Sequence, residues 1–420
     1  MSSQNSTILL HNFVDFGLSL DDCPAFNFKS AIKTAEAFYA GLPKNILDQA
    51  SMSVPEIIKA HGYPCETHTV ITSDDYILTM HRIPYGKIER THRPIVYLQH
   101  GLLSSSADWI IPGPRKALGY ILADAGYDVW LPNVRGNTYS RKHRTLNEDI
   151  EEFWDFSWHE IALYDVTAMI DYALKETKQE KLFYVGHSQG TTVFYVMCSE
   201  RPEYNEKIRA HFSLAPIAYM NHLASPLLRL YVTTSPLEKE METFARAFGS
   251  QEFLPNTRFL ARVGKDLCGD DNVTQVLCTN ALFAMCGFNQ KQMNATLLPI
   301  IMKHTPTGSS IVLFMHYIQE IRSGDFRQWD YGPTMNEKYY NSTTPPAYQL
   351  HKITVPVYLI YSKYDWISAE EDVLRLYEGL RNAQAKRLIE NSKFNHIDYL
   401  YAVDAPKLIY ANLLILMNQH

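Results

Sequence analysis

The stretch Tyr184–Thr192, YVGHSQGTT, sets one serine between two glycines directly after the apolar run LFYV. The residues that follow, TTVFYVMCSE, read as a helix, so the serine stands at a strand–turn–helix junction. Gly186-His187-Ser188-Gln189-Gly190 is the only G-x-S-x-G in the chain. Each glycine has a steric task there, because the turn is tight and neighbouring backbones approach closely. A helix starting beneath Ser188 adds a partial positive charge that favours a developing anion. Ser188 is therefore expected to be a nucleophile and not an ordinary turn serine.

A serine hydroxyl is a weak nucleophile and needs a base, which in turn needs an orienting carboxylate. When the serine sits on such an elbow, the acid and then the histidine follow it in the chain. Asp365 comes directly after the strand-like VPVYLIYSKY, and His396 lies in NSKFNHIDYL, after the last strand-like run AKRLIE. Asp398 and Asp404 compete with Asp365, but neither follows a strand end; beyond Asp365, only the terminal His420 competes with His396. Two backbone N–H groups must also face the reacting oxygen. Gln189, next after the serine, is one expected donor. Leu102, following His100-Gly101 at the end of RPIVYLQHG, is the other.

Around this centre the chain alternates. ETHTVITSDDYILTMHRIP reads as a hairpin turning at Ser73–Asp75, with Thr67, Thr69 and Ile71 alternating. The short apolar runs RPIVYLQHG, YDVWLPNVRG, KLFYVGHS and AHFSLAPIA follow. Between them lie helical patterns such as HEIALYDVTAMIDYAL, where Ile161, Tyr164, Ala168, Met169 and Tyr172 are expected on one face. Strands alternating with helices indicate a parallel sheet covered on both sides, hence an α/β fold. From about residue 219 to 344 no convincing strand occurs, and SPLEKEMETFARAF and SSIVLFMHYIQEIR are helical in pattern. The expected organisation is a peripheral segment 1–50, a first core part 51–218, a helical insertion 219–344 and a second core part 345–420.

The 420 residues are 46% hydrophobic and 20% charged, the make-up of a globular protein, and no apolar run is long enough to cross a bilayer. A formal charge of −6 without a basic block argues against nucleic acid as a partner. Protonating the sixteen histidines would turn −6 into +10, compatible with work near anionic lipid at low pH. No H-E-x-x-H occurs, and no metal or cofactor is expected. Of the six cysteines, Cys268, Cys278 and Cys286 cluster; Cys268 and Cys278 could close a short loop, or all three could be buried thiols. N-x-[ST] sequons stand at Asn5, Asn272, Asn294 and Asn341. The first twenty residues, MSSQNSTILLHNFVDFGLSL, lack a basic start and do not read as an export signal.

LQHGLLSSSADW, ILADAGYDVWLPNVRGNTYSRKH, FWDFSWHEIALYDVTAMIDY and YVGHSQGTT together resemble the gastric/lysosomal acid lipase family. So do GYPCETHTVITSDDYIL upstream and NALFAMCGF, YSKYDW and NHIDYLYAVDAP downstream, a resemblance running from about Glu56 nearly to the C-terminus. It implies an α/β-hydrolase fold: a mostly parallel eight-stranded sheet, helices on both faces, and an inserted helical cap and lid over the pocket. It further implies hydrolysis of triacylglycerols or cholesteryl esters with no cofactor, a triad on Ser188, Asp365 and His396, and oxyanion donors Leu102 and Gln189. A cap disulfide is implied for Cys268–Cys278, with Cys286 free. A lysosomal or secreted location is implied as well, with Asn272, Asn294 and Asn341 the glycosylation candidates. The implied partner is neutral lipid at an oil–water interface, with transient contact at a membrane or droplet surface. Two departures stand out: the family's DGY reads Asp74-Asp75-Tyr76 here, and Ser362-Lys363-Tyr364 lacks the glycines usual before the acid.

Rival readings are a carboxylesterase of small soluble esters, which would share the triad, and a catalytically inactive lipid-binding protein, which would carry a damaged one. Haloalkane or epoxide chemistry on this fold would need an aspartate at position 188.

Overall fold

The computed structural model describes residues 43–88, 92–225, 228–229, 232, 252–253, 286, 289, 291–391 and 393–420. Eight strands run across one sheet: β1 (Glu66–Ile71), β2 (Tyr76–Ile83), β3 (Ile95–Gln99), β4 (Asp128–Asn133), β6 (Leu182–His187), β7 (Ile208–Leu214), β10 (Val357–Tyr361) and β11 (Ala383–Leu388). Their spatial order is β1-β2-β4-β3-β6-β7-β10-β11, and a two-residue β5 (Lys142–His143) adds a ninth strand beside β2. β1, β2 and β4 pair antiparallel, and every pairing from β4 to β11 is parallel. The expected count of eight thus holds for the continuous path, with β5 added at the hairpin side.

Parallel strands need crossover helices, and these coat both faces. In β3, Ile95 and Tyr97 join one hydrophobic core while Val96 and Leu98 join the other, as the two-residue side-chain period requires. Helices α1 (Val54–Ala60), α2 (Leu118–Asp124) and α9 (Ala411–Met417) cover the Val96 side. Helices α3 (Thr167–Thr177), α4 (Gln189–Glu200) and α8 (Glu370–Gly379) cover the Tyr97 side. The chain crosses from β3 to β4 in one direction and then returns to lay β6 on the other side of β3. Sheets of this kind bind ligands at such a reversal, beyond the carboxyl ends of the strands.

The hairpin turn lies where the sequence put it: Thr72 N–H donates to Tyr76 O at 2.9 Å, and Asp75 takes φ 71°. This is the left-handed position that glycine would fill in the family's DGY, and aspartate tolerates it better than most residues. Its carboxylate also pairs with Arg144 at 2.9 Å.

Two expectations are corrected. The inward face of residues 161–174 matches the expected one in part: Ile161 and Met169 are buried in the core and Ala168 and Tyr172 pack against it partly buried, whereas Tyr164 does not join it. The fully buried residues are Thr167 and the adjacent pairs Ile161/Ala162, Asp165/Val166, Met169/Ile170 and Ala173/Leu174, the pairs recurring every four residues. A π-helical turn over Ile161–Val166 takes up the extra residue that a strict 3.6 period cannot. That turn brings Asp165 inward, where its carboxylate binds Arg135 through Nε at 2.8 Å and through the main-chain N–H at 2.8 Å. Arg135 also reaches Asp74 at 2.7 Å and lies 3.8 Å over the Tyr76 ring. Second, the region from 219 to 344 does contain strand: β8 (Glu252–Phe253) pairs antiparallel with β9 (Ser309–Ser310). Its described helices are chiefly α5 (Leu298–His304), α6 (Ile311–Ser323) and α7 (Pro333–Tyr340).

The segment 1–42, SPLEKEMETFARAF, the sequons at Asn5 and Asn272, and the Cys268–Cys278 pairing lie outside the described residues. Asn294 and Asn341 are exposed, and Cys286 is a buried free thiol. No helix among the described residues is long and apolar enough to cross a membrane.

Candidate active site

β6 ends at His187, and Ser188 follows with φ 54° and ψ −122°, a conformation that costs a non-glycine residue on the order of 1–3 kcal/mol. Surrounding backbone enforces it. Ser188 N–H donates to Leu214 O at 3.0 Å, and Ser188 O accepts from Thr191 N–H at 2.8 Å and Thr191 Oγ at 2.7 Å. α4 begins at the next residue, so its N-terminus points at the serine.

Ser188 Oγ–H donates to His396 Nε2 at 2.8 Å. A carboxylate only accepts, which puts the single ring proton on Nδ1; that N–H donates to Asp365 Oδ2 at 2.9 Å, with Oδ1 at 3.0 Å. Asp365 Oδ1 accepts further from Ile367 N–H at 2.9 Å and Ser368 N–H at 3.0 Å. The loop between β10 and Asp365 is fastened by Ser362 Oγ, which donates to Phe394 O at 2.7 Å and accepts from Tyr364 N–H at 3.1 Å. None of Ser362, Lys363 and Tyr364 has a positive φ, so glycine is not required there.

On the other side of the serine runs the loop after β3. A side chain at Gly101 would come within 3.1 Å of Ser188 Cβ and push on it by a few tenths of an ångström, so this backbone lies close against the elbow. Neither the Leu102 nor the Gln189 N–H donates to another described residue. His100 braces the loop: its Nδ1–H donates to Gly101 O at 2.8 Å, and its Nε2 accepts from Val134 N–H at 3.3 Å. Burial pushes the His100 pKa down to about 4, so the ring stays neutral.

The competing residues fall elsewhere. Asp404 accepts from Gln292 Nε2 at 2.9 Å and sits at the start of the C-terminal helical segment. His420 bonds Tyr358 OH at 2.8 Å, at the end of β10 away from Asp365. Asp398 is the one with a part in the site's construction: its Oδ2 accepts from Asn395 N–H at 2.9 Å and Asn289 Nδ2 at 3.0 Å, gripping the loop that carries His396. Burial, together with the Asp365 charge, raises its pKa to about 7. Only its nearness to His396 in NHIDY hinted at this, because an oxygen two residues from a histidine has no periodic signature.

A strained serine between strand and helix, hydrogen-bonded to a histidine that a carboxylate orients, defines a serine hydrolase of the α/β class. The comparisons agree. Residues 94–402 match the family model described as alpha/beta hydrolase fold, and residues 54–113 match that of a partial alpha/beta-hydrolase lipase region. Lipase 3 of Drosophila melanogaster is 43% identical over 367 residues, 87% of this chain and 92% of that one. Gastric triacylglycerol lipase of Rattus norvegicus is 40% identical over 373 residues, 88% of this chain and 92% of that one. Among solved structures, a putative lipase from Sulfolobus solfataricus superposes with a TM-score of 0.51 at 13% identity, covering 84% of this chain and 94% of that one, and so shares the fold. The chain is a carboxylic ester hydrolase and belongs to the gastric/lysosomal acid lipase family.

Proposed function

We propose that this chain hydrolyses the carboxylic esters of neutral lipids, triacylglycerols or sterol esters, through an acyl-enzyme on Ser188. The observation that carries the reading is the line of hydrogen bonds from Ser188 Oγ through His396 to Asp365, at 2.8 and 2.9 Å. Ser188 Oγ attacks the ester carbonyl carbon while His396 Nε2 takes its proton, and Asp365 holds the imidazole in the Nδ1–H tautomer and stabilises the imidazolium. The Leu102 and Gln189 amides receive the oxyanion. The intermediate collapses, the C–O bond to the glycerol or sterol breaks, and Nε2–H protonates the leaving alkoxide. Water then repeats the sequence and releases the fatty acid.

Several relatives named gastric triacylglycerol lipase favour triacylglycerol as substrate and a secreted or lysosomal setting. Residues 219–344 serve as the cap and lid that give the acyl chain apolar walls and keep them covered in water. In support, Thr307 N–H donates to Leu103 O at 2.9 Å and Thr307 Oγ to Ser104 O at 2.7 Å, fastening that segment to the loop bearing Leu102. Contact with lipid is then transient and interfacial, and exposed Asn294 and Asn341 are the glycan sites among the described residues.

The test is labelling of the intact protein with a serine-directed phosphonate, mapping of the modified peptide, and turnover of a triacylglycerol emulsion by S188A. The expected label is on Ser188, with turnover lowered on the order of 10⁴-fold or more. A label elsewhere, or an S188A variant of unchanged rate, rejects the assignment.

A further inference from the structure

His187 precedes the serine and belongs to no step described above, yet its ring is buried where three parts of the site converge. It lies 5.0 Å from the His396 ring, 6.0 Å from the Tyr399 ring, and so near Gly101 that a side chain there would approach its Nδ1 to 3.3 Å. Its Nε2 is 2.8 Å from the main-chain oxygen of His396. A carbonyl oxygen only accepts, so Nε2 carries the hydrogen, and Nδ1 has no partner among the described residues. Burial keeps this ring neutral, with its pKa down at about 3, and its single N–H is committed to His396. On the other side of the same residue, His396 N–H donates to Cys286 O at 3.1 Å. The backbone of His396 is thus pinned at both ends, and one pin comes from the residue next to Ser188.

The geometry points to His187 as a positioning residue: its Nε2–H ties the histidine loop to the nucleophile elbow and so fixes the distance between His396 Nε2 and Ser188 Oγ. The two loops are 209 residues apart in the chain, and this bond is a direct strut between them. A reacting pair displaced by about 1 Å loses on the order of 10²-fold in rate, so a strut of this kind acts on turnover and leaves substrate binding alone. The inference rests on the reading of Ser188 and His396 given above.

Three variants test it. H187F keeps a ring of similar size without the N–H. H187Q offers an amide N–H the same number of bonds from the backbone as Nε2. H187N carries that amide one bond short. For H187F, kcat on a soluble short-chain ester should fall about 10- to 100-fold with KM within about twofold, and phosphonate labelling of Ser188 should slow in parallel. H187Q should recover to within about fivefold of the parent, and H187N should not. A folded H187F with unchanged kcat overturns the inference, as does an H187Q as damaged as H187N, which also decides the matter if H187F does not fold. S188A run alongside separates the two claims. Turnover surviving in S188A removes both, whereas an inactive S188A beside a fully active H187F removes only this one.

Discussion

Gly190 faces the carbonyl of Gln99: a methyl group built on Gly190 would collide with that oxygen and sit 2.9 Å from its carbon. The first turn of α4 is thereby pressed against the end of β3, which brings the serine and the Leu102 loop together. Gly190→Ala should force the two apart, lowering stability by about 1–3 kcal/mol in urea unfolding and slowing phosphonate labelling of Ser188. Unchanged stability together with unchanged labelling would mean that the contact is slack.

Asp365 accepts from His396 and from two main-chain N–H groups, those of Ile367 and Ser368. An asparagine can keep the main-chain bonds with its oxygen, but its NH₂ then meets Nδ1 and selects the wrong imidazole tautomer. Asp365→Asn should fold normally and lose on the order of 10³- to 10⁴-fold in kcat for ester hydrolysis. A loss of less than tenfold would show that the carboxylate is dispensable.

Asp398 supplies a pH signature. Its pKa is about 7 in the folded chain against about 4 when unfolded, so between these values the folded state holds a proton that the unfolded state lacks. Its contribution to stability is therefore fully present below about pH 4 and is lost as pH rises through about 7. Asparagine imitates the neutral acid at every pH. The Tm of Asp398→Asn minus that of the parent should be more positive at pH 8 than at pH 5, and a difference that stays constant refutes the assignment.

Arg135 and Asp165 are both buried, and each satisfies the other. Arg135→Met would leave the Asp165 carboxylate without its cation beneath the π-helical turn. A loss of about 3–5 kcal/mol is expected in urea unfolding, and a loss under 1 kcal/mol would show that water or rearrangement replaces the pair.

Much of the frame was legible because strands and turns declare themselves locally. The apolar runs became β3, β4, β6, β7 and β10, and Ser73–Asp75 became the hairpin turn with Asp75 in the left-handed position. Asp365 and His396 were singled out by chain order and by following strand ends, and the structure brings them within hydrogen-bonding distance of one another, with His396 alone in hydrogen-bonding distance of Ser188. What stayed hidden depends on contacts remote in sequence. A strict helical period cannot anticipate the π-turn that rotates Asp165 inward to meet Arg135. The two-residue strands β5 and β8 are too short to alternate and owe their pairing to β2 and β9. Asp398 looked like a rival acid because sequence gives it proximity to His396 but not the Asn395 N–H that occupies it.

The separation of Ser188 from His396 also bears on biosynthesis. β10 takes its place beside β7 only after more than a hundred intervening residues have been made, and β11 and the histidine loop come later still. A nascent chain that has already exposed its serine elbow therefore has no proton acceptor to offer it. By the proposed route, such a chain, like any fragment released early from the ribosome, would be unable to hydrolyse neutral lipid esters.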